Sequence, residues 1–361
     1  MKIIRLSTFL DYGGIESKMA NLSRLEDQEN TWMFCALGRG GTAEQSIKAN
    51  GKKVVCLNKG HKIPNFKTIA ALILLLRRER PDVVHASGAE ANFHGLIAAR
   101  LVGVKKILVE EIGIPNQSKM AKAVFSIIYK FADLVIGESR IVSDKLKEMY
   151  PIEGQKLKVV PNFCLPANVT LMRDVENVCR LPMPRDTFHI VCVSRLEPVK
   201  NLEALIRVLA RIKQENVSFK LTIVGDGSMM QVLKSLVATL SLDREVSFVG
   251  YVKDPSPYLL AADLYVLNSI TEGFSNSLLE AMHLGVPCLS TRVGAAPEII
   301  REWFNGWLTD VDEEKLFNKL KSIIELDPPT RERIGKNGIE TVVHNYSLKK
   351  HTQLLMQLYT S

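Results

Sequence analysis

Two carboxylates lie eight positions apart in the segment 268–291, NSITEGFSNSLLEAMHLGVPCLST. Glu272 precedes a Gly-Phe pair, whereas Glu280 interrupts the apolar stretch LLEAMHL. Burial of an ionised carboxylate is costly unless a partner satisfies it. No Lys or Arg occurs between Lys253 and Arg292, so Glu280 has no cation near it in the sequence. Glu280 therefore either pairs with a distant protein cation or, as we favour, accepts hydrogen bonds from the hydroxyl groups of a ligand.

The residues between the two carboxylates predict the start of a helix. Ser275 follows a loop that contains Gly273, and the apolar residues beyond it have helical spacing. The first turn, Ser275 to Leu278, would present free backbone N–H groups and the positive end of the helix dipole. Such a turn is a suitable site for an anion such as a phosphate group.

Two cations follow another apolar stretch, in the segment 192–201, CVSRLEPVKN. Arg195 and Lys200 flank a loop broken by Pro198, and Asn201 is placed to cap the helical stretch that follows. Cations held between the end of a strand and the start of a helix could clamp a diphosphate. Solvated surface cations are the alternative interpretation.

Glycines and aspartates supply two weaker signals. Gly13 and Gly14 allow close backbone approach to a phosphate or a sugar, although the GxGxxG pattern of dinucleotide-binding proteins is absent and a simple turn is the alternative. Asp310 and Asp312 form an Asp-x-Asp pair that could hold a divalent metal ion. Because Asp312 directly precedes a helical stretch, we interpret the pair as part of a helix amino terminus.

The elements that position these residues are predicted to be parallel strands and crossover helices. Short β-branched runs alternate with amphipathic stretches of ten or more residues, which is typical of α/β domains. The candidate strands are KIIRLST, TWMFCALG, KKVVCLN, DVVHAS, KKILVEE, DLVIGES and KLKVVPN, followed by HIVCVSRL, FKLTIVGDG, VSFVGYV, DLYVLNS, VPCLST and GWLTD. We predict two Rossmann-like, doubly wound α/β domains that face a central cleft.

The predicted domains are residues 1–165 and 187–346, joined by a linker at 166–186, and we expect the helix 347–361 to pack back on the first domain. A length of 361 residues suits two cores. Ligands of such sheets bind beyond the carboxyl ends of the strands, so the cleft is the expected active site.

Charge and composition narrow the class of protein. The net charge of +8 belongs to residues 1–165, which carry 25 Lys and Arg against 16 Asp and Glu, whereas residues 166–361 carry 22 against 23. A basic first half fits an anionic partner, such as a membrane surface or a phosphorylated substrate, or a solvated basic surface. The six cysteines show no metal-binding spacing and are expected to be reduced. We expect no signal peptide and no spanning helix.

Ten short segments follow one another along the chain in this order: GGIE, VVH, ADLVIGES, KVVPN, VSRLEPVKN, LTIVGDG, VSFVGYV, AADLYVLNS, EGFSNSLLEAM and GVPCLST. The ordered set resembles the retaining glycosyltransferases of family four, which have the GT-B fold, and the resemblance is strongest over residues 189–300. It implies that residues 1–165 bind the acceptor and that residues 187–346 bind a nucleotide-sugar donor.

The resemblance also implies roles at matching positions. Arg195 and Lys200 would neutralise the donor diphosphate, Glu272 would face the sugar hydroxyls, and Glu280 would bind the ribose. Arg195, Lys200 and Glu272 are the implied catalytic residues, and no protein nucleophile is named. The implied backbone contacts to sugar and phosphate come from Gly273, Phe274, Ser275, Asn276, Ser277 and Leu278. Gly13 and Gly14 match the loop that reaches the diphosphate from the other domain.

The chain departs from the family on the acceptor side. Many members carry His-x-His after the fourth strand and a further His after the fifth. Here VVHAS keeps His85 but has Ser87, and LVEEIG has Glu110 and Glu111 at the later position. His85 and Glu111 are candidates for contact with the acceptor, and a core histidine is the alternative for His85.

The predicted function is retaining transfer of a sugar from a nucleotide diphosphate donor, a UDP-sugar, to a growing lipid-linked or surface polysaccharide such as an O-antigen or capsule unit. The product would be an α-glycoside, and we expect no cofactor, no metal ion and no nucleic-acid partner. The basic amphipathic segments NFKTIAALILLLRRER and NQSKMAKAVFSIIYKF suggest contact with anionic lipid, and core helices are the alternative. A cytoplasmic protein, peripheral at the inner face of the cell membrane, would fit. A sugar-nucleotide epimerase and a catalytically silent partner protein are the alternative functions.

Overall fold

The computed structural model describes residues 1–11, 13–115, 117–165 and 187–361. These residues divide between two compact units. The first unit comprises Met1–Asn162 together with His351–Ser361, and the second comprises Phe163–Lys350. The predicted linker at 166–186 lies outside the described residues.

The first unit contains a seven-stranded parallel sheet in the order β3-β2-β1-β4-β5-β6-β7. Its strands are β1 (Lys2–Ser7), β2 (Thr31–Ala36), β3 (Lys53–Cys56), β4 (Val83–Ser87), β5 (Lys106–Glu111), β6 (Leu134–Gly137) and β7 (Leu157–Val159). The helices between them are α1 (Gly14–Leu22), α2 (Thr42–Ala49), α3 (Phe66–Glu79), α4 (Ala89–Val102), α5 (Lys119–Ile128) and α6 (Arg140–Met149).

The second unit contains a six-stranded parallel sheet in the order β10-β9-β8-β11-β12-β13. Its strands are β8 (Phe188–Val193), β9 (Phe219–Val224), β10 (Val246–Gly250), β11 (Leu264–Leu267), β12 (Cys288–Thr291) and β13 (Trp307–Thr309). Its helices are α7 (Leu202–Gln214), α8 (Met230–Thr239), α9 (Ser256–Leu260), α10 (Asn276–His283), α11 (Ala296–Ile299), α12 (Glu313–Ile324) and α13 (Pro328–Asn345). The last helix is α14 (Leu348–Thr360).

The prediction of two doubly wound α/β domains is confirmed. Each segment predicted to be a strand contains one, and every pairing in both sheets is parallel. The strands read as continuous apolar runs because helices cover both faces of a parallel sheet. In β4, for example, all five residues of VVHAS are buried. Polar residues inside such runs, including His85, therefore need partners within the protein.

A close contact with α13 positions α10, the helix that carries Glu280. α10 packs against α13, and Gly285 follows the C-cap of α10, Leu284. A Cβ atom at Gly335 in α13 would lie 2.0 Å from the Gly285 carbonyl oxygen. One turn later on the same helix, a Cβ atom at Gly338 would meet its nearest neighbour, the Met282 carbonyl oxygen, at 3.4 Å. Only Gly335 is required for the spacing of these two helices.

We predict that Gly335→Ala destabilises the protein while Gly338→Ala does not. The first substitution forces α13 away from the backbone after α10, which should lower the free energy of unfolding by about 1–3 kcal/mol. The second removes a helical glycine without a clash and should raise stability by up to about 1 kcal/mol. Denaturant unfolding of both variants measures the difference. Equal stability of the two variants would contradict this account of the contact.

Candidate active site

The helix α10 begins where the sequence predicts. Ser275 is its N-cap, and its Oγ atom accepts a hydrogen bond from the Leu278 amide at 3.3 Å. Ser275 and Leu278 are buried, and so are Leu279, Ala281 and Met282. The Leu278 amide is thus bonded within the protein, and an anion at this helix start would depend on the amides that precede it.

Glu280 lies one turn into α10 and is partly buried. No described residue donates a hydrogen bond or pairs a cation with its carboxylate. Burial, reinforced by the negative charge of Asp254, raises the pKa of Glu280 to about 7. The carboxylate also raises the pKa of Cys164, so the two side chains are neighbours. As its sequence context indicates, the Glu280 carboxylate needs a partner that the described residues do not provide.

Backbone contacts bring the loop after β8 and the loop after β11 together. The Ile270 amide donates to the Val199 carbonyl at 2.8 Å, and the Asn268 side-chain amide donates to the Asn201 carbonyl at 2.9 Å. These loops follow adjacent strands, because β8 pairs with β11. The two segments that the sequence singles out for donor binding are therefore held side by side within the second unit.

This loop contact pairs Lys200 with Glu272. The Lys200 ammonium and the Glu272 carboxylate form a salt bridge in which both side chains are less than one-sixth exposed. The buried Ser269 hydroxyl donates to the same carboxylate oxygen at 2.8 Å. The carbonyl oxygen of Glu272 would lie 2.6 Å from a Cβ atom at Gly294, so the next loop closes over this residue.

Arg195 is exposed and forms no salt bridge with a residue in the described part of the chain. The backbone on either side of it is fixed, because the Ser194 amide donates to Val224 at 3.0 Å and the Leu196 amide donates to Asp226 at 2.9 Å. Gly225 has φ +137°, and a Cβ atom there would lie 1.8 Å from the Ser194 carbonyl oxygen. Only glycine fits at this position, so the glycine-containing loop after β9 holds Arg195 in place.

The sequence interpretation of Asn201 is corrected by the structure. Asn201 occupies the N-cap position of α7, but its side chain forms no capping hydrogen bond. Its φ of 52° places it in the left-handed region, which turns its side chain away from the usual capping geometry. By contrast, Asp312 caps α12 as predicted, since its carboxylate accepts from the Lys315 amide at 2.8 Å. Asp310 pairs with the Lys315 ammonium at 2.5 Å.

In the first unit, the glycine pair forms the start of α1. Gly13 is the N-cap, and its carbonyl accepts from the Ser17 amide at 2.9 Å. A Cβ atom at Gly13 would lie 2.3 Å from a carboxylate oxygen of Glu16, whereas a Cβ atom at Gly14 would meet no atom of the described residues within 4 Å. The backbone at Gly14 is open on the side where a side chain would stand. Contact of these glycines with a donor stays a prediction.

The two acceptor-side candidates are both buried. His85 is inaccessible, and its Nδ1 atom lies 2.6 Å from an Arg5 guanidinium nitrogen and 2.8 Å from the Tyr359 hydroxyl. Burial and the positive charge of Arg5 lower the pKa of His85 to about 3, so its ring is neutral. These contacts are those of a core histidine. A role in acceptor binding stays a prediction.

Glu111 is enclosed by polar side chains at the end of β5. Its carboxylate accepts hydrogen bonds from the Tyr129 hydroxyl and, at 3.1 Å, from the Asn92 side-chain amide. Burial nevertheless raises the pKa of Glu111 to about 7. Its contact with an acceptor hydroxyl stays a prediction.

Sequence reasoning missed a buried charge cluster in the first unit, formed by Arg5, Lys18, Glu110 and Glu138. Lys18 Nζ lies 2.6 Å from Glu110 and 3.1 Å from Glu138, and an Arg5 guanidinium nitrogen lies 2.9 Å from Glu110. The signal available in the sequence was a charged residue inside or directly after an apolar strand, as for Arg5 in KIIRLS and Glu138 after LVIG, whereas Lys18 in GIESKMANL gave no such signal. Their mutual proximity follows only from the strand order.

The second unit therefore combines three features suited to a phosphorylated ligand. Arg195 is a cation without a salt bridge to any described residue, and Lys200 is a second cation whose ammonium has further donors beside its bond to Glu272. The amino terminus of α10 adds a partial positive charge. Glu280 lies about 6 Å farther along that helix and can accept from neutral hydroxyl groups.

We predict that Glu280→Gln makes stability less dependent on pH. The folded pKa of about 7 exceeds the ordinary value of 4.5, so the wild-type free energy of unfolding falls as pH rises from about 4.5 to 7. At pH 8 the variant should be more stable than wild type by up to about 3 kcal/mol, and at pH 4 the two should agree.

Denaturant unfolding at pH 4 and pH 8 measures this effect. Glu332→Gln is the control, because Glu332 is an exposed carboxylate paired with Lys336 at 2.6 Å on the surface of α13. A gain at pH 8 no larger than that of the control would show that Glu280 has a partner or is solvated.

Comparison with known proteins adds to the geometry. Residues 12–164 match the family described as Glycosyltransferase Family 4, and residues 179–341 match the family described as Glycosyl transferases group 1. Together the two matches take in most of both units. The structure of HepE from Anabaena in complex with UDP superimposes with a TM-score of 0.84 at 20% identity, covering 100% of each chain.

Curated relatives carry glycosyltransferase names. The Escherichia coli UDP-Gal:alpha-D-GlcNAc-diphosphoundecaprenol alpha-1,3-galactosyltransferase is 26% identical over 88% of this chain and 84% of its own length. The Campylobacter jejuni N-acetylgalactosamine-N,N'-diacetylbacillosaminyl-diphospho-undecaprenol 4-alpha-N-acetylgalactosaminyltransferase is 29% identical over 65% of each chain. With its two parallel-sheet domains and both family matches, the chain belongs to the family-four glycosyltransferases of the GT-B fold.

Proposed function

We propose that this glycosyltransferase moves a sugar from a UDP-sugar to a lipid-linked or surface polysaccharide acceptor, with retention, and so forms an α-glycosidic bond. The observation that carries the proposal is the Glu280 carboxylate, which has no partner among the described residues and lies one turn from the amino terminus of α10. A nucleoside diphosphate offers the complementary pair of groups. Its ribose supplies hydroxyl donors and its phosphates supply the negative charge.

The proposed chemistry needs positive charge where the nucleoside diphosphate leaves. Arg195, Lys200 and the amino terminus of α10 would offset the charge that develops on the departing phosphate, as preorganised groups that need no metal ion. Because Lys200 has three N–H donors, it can hold Glu272 and a phosphate oxygen together. Glu272 would then be fixed to accept from a sugar hydroxyl.

The names of relatives support the choice of donor, acceptor and linkage. The Escherichia coli relative is named for UDP-Gal as donor, and both named relatives carry an undecaprenol diphosphate in the acceptor and an alpha linkage in the product. HepE was crystallised with UDP. Since nucleotide sugars of this kind are usually α-linked, an α product corresponds to retention. A growing O-antigen or capsule unit on a lipid carrier is the proposed acceptor.

Glu280→Ala tests the proposal. Loss of ribose hydrogen bonds to a charged group should weaken UDP binding by roughly 1.5–3 kcal/mol, which is about 10- to 150-fold in the dissociation constant. Calorimetry with UDP measures the affinity. UDP release from a panel of UDP-sugars, with EDTA present, measures turnover by the wild-type protein. Glu332→Ala, an exposed change on α13, is the control and should bind as wild type does.

Three results would contradict the proposal in different ways. Unchanged UDP affinity in Glu280→Ala would remove the ribose role. Conversion of a UDP-sugar to its epimer without an acceptor would favour the epimerase alternative. Binding without turnover of any nucleotide sugar, with or without polyprenol-linked saccharides, would favour a silent partner protein.

We further propose that the first unit contacts anionic lipid through α5 and the turn after it. Met120, Ile127 and Phe131 are each more than half exposed and follow one another at helical spacing. Lysines lie beside them at 119, 122 and 130, and no acidic residue occurs between Glu111 and Asp133. A basic helix with an exposed apolar stripe binds the interface of anionic membranes. As a cytoplasmic protein bound to the inner face of the membrane, the enzyme would encounter a lipid-linked acceptor there.

None of the helices in the described part of the chain combines the length and apolar character needed to cross a bilayer. The lysines around the exposed apolar stripe of α5 predict salt-sensitive surface binding. The wild type should co-sediment with vesicles containing phosphatidylglycerol at low salt, and Met120→Ser with Ile127→Ser should reduce this to background. Val343→Ser, at an exposed apolar position on α13, is the matched control. Sedimentation unaffected by the α5 substitutions would contradict the lipid contact.

A further inference from the structure

The buried charge cluster of Arg5, Lys18, Glu110 and Glu138 is closed to solvent. Each of the four residues is at most 3% exposed. Burying an ion is expensive, and the mutual attraction of buried ions offsets that cost only where the geometry is good. Two carboxylates face two cations here, so the charges balance when all four groups are ionised. A balanced, inaccessible cluster of this kind needs no ligand and instead holds elements in place.

Lys18 is the member that links a helix to the sheet. Glu110 belongs to β5, and Glu138 follows β6, so both carboxylates lie at the carboxyl edge of the sheet. Lys18 belongs to α1 and reaches both of them, at 2.6 Å and 3.1 Å. The bridge ties the second turn of α1 to two neighbouring strands, which a single apolar contact could not do with comparable directionality.

Among the described residues at the beginning of α1, Gly14 and Ser17 are exposed, and Ile15 and Glu16 are only partly buried. Lys18 is the first buried residue of the helix, and the other buried residues, Met19 and Leu22, lie closer to its end. Gly13 provides no side-chain cap, and the position of Gly14 is exposed. Lys18 is therefore the first fully buried side chain of the helix after the glycine pair.

We propose that Lys18 is a positioning residue that fixes the start of α1, and with it the Gly13–Gly14 backbone, through its bridge to Glu110 and Glu138. The benefit for turnover rests on the proposed function together with the expectation, from the family resemblance, that these glycines contact the donor. Displacement of a substrate-positioning group by about 1 Å costs on the order of 10²-fold in rate. Lys18 itself touches no substrate.

The test removes the bridge while preserving the charge balance. Lys18→Met alone would leave two carboxylates facing one cation, so the informative variant is Lys18→Met with Glu138→Gln, in which the Arg5–Glu110 pair remains at 2.9 Å. Lys48→Met is the matched control, because Lys48 pairs with Glu44 at 2.6 Å in an exposed position on α2. A cooperative thermal unfolding transition confirms that each protein is folded.

Two measurements are then made on the full chain. Amide hydrogen exchange at Ser17, whose amide forms the first bond of α1 with Gly13, should accelerate about tenfold in the double variant and not in the control. The kcat for UDP release should fall about 10²-fold. A role confined to global stability would change neither the kcat of the folded protein nor this local exchange.

The outcomes separate this inference from the proposed function. Unchanged exchange at Ser17 overturns the positioning role of Lys18, whether or not the protein consumes a nucleotide sugar. Accelerated exchange with unchanged kcat overturns its link to the donor. If exchange accelerates in the double variant but the wild type releases no UDP, the result supports the positioning role of Lys18 and contradicts only the proposed function.

Discussion

The central constraint on the second unit is the carboxylate of Glu280, which no described protein group neutralises. Glu280 stands in a helix whose neighbouring residues are buried and apolar, and burial raises its pKa to about 7. A chain folded only for stability has no reason to keep an acid in that position, where glutamine or an apolar residue would remove the desolvation cost. Perturbed groups of this kind occur preferentially at functional sites.

The two units treat buried charge in opposite ways. In the first unit, Arg5 and Lys18 form salt bridges with Glu110 and Glu138, and the cluster is closed to solvent. In the second, Lys200 pairs with Glu272, while Arg195 and Glu280 form no salt bridge with a described residue. Closed clusters hold elements in position, and open groups are available to a ligand. The same sheet architecture thus provides a scaffold in one unit and a candidate site in the other.

Local patterns predicted much of the fold and less of the site. The β-branched runs located both sheets, and Ser275 and Asp312 marked helix starts, because strand burial and capping depend on residues close in sequence. The Lys200–Glu272 pair spans 72 positions and follows from the adjacency of β8 and β11, which no local pattern contains. The prediction that Asn201 caps its helix was wrong because Asn201 has a left-handed backbone conformation, which its residue type alone does not reveal.

The central claim is that Glu280 binds the ribose of a nucleoside diphosphate whose phosphates lie at the start of α10. A crystal structure of the protein with UDP tests it most directly. The account predicts ribose hydroxyls within hydrogen-bond distance of the Glu280 carboxylate and phosphate oxygens near Arg195, Lys200 and the first turn of α10. UDP bound elsewhere, or a ribose that leaves Glu280 without a partner, would contradict it.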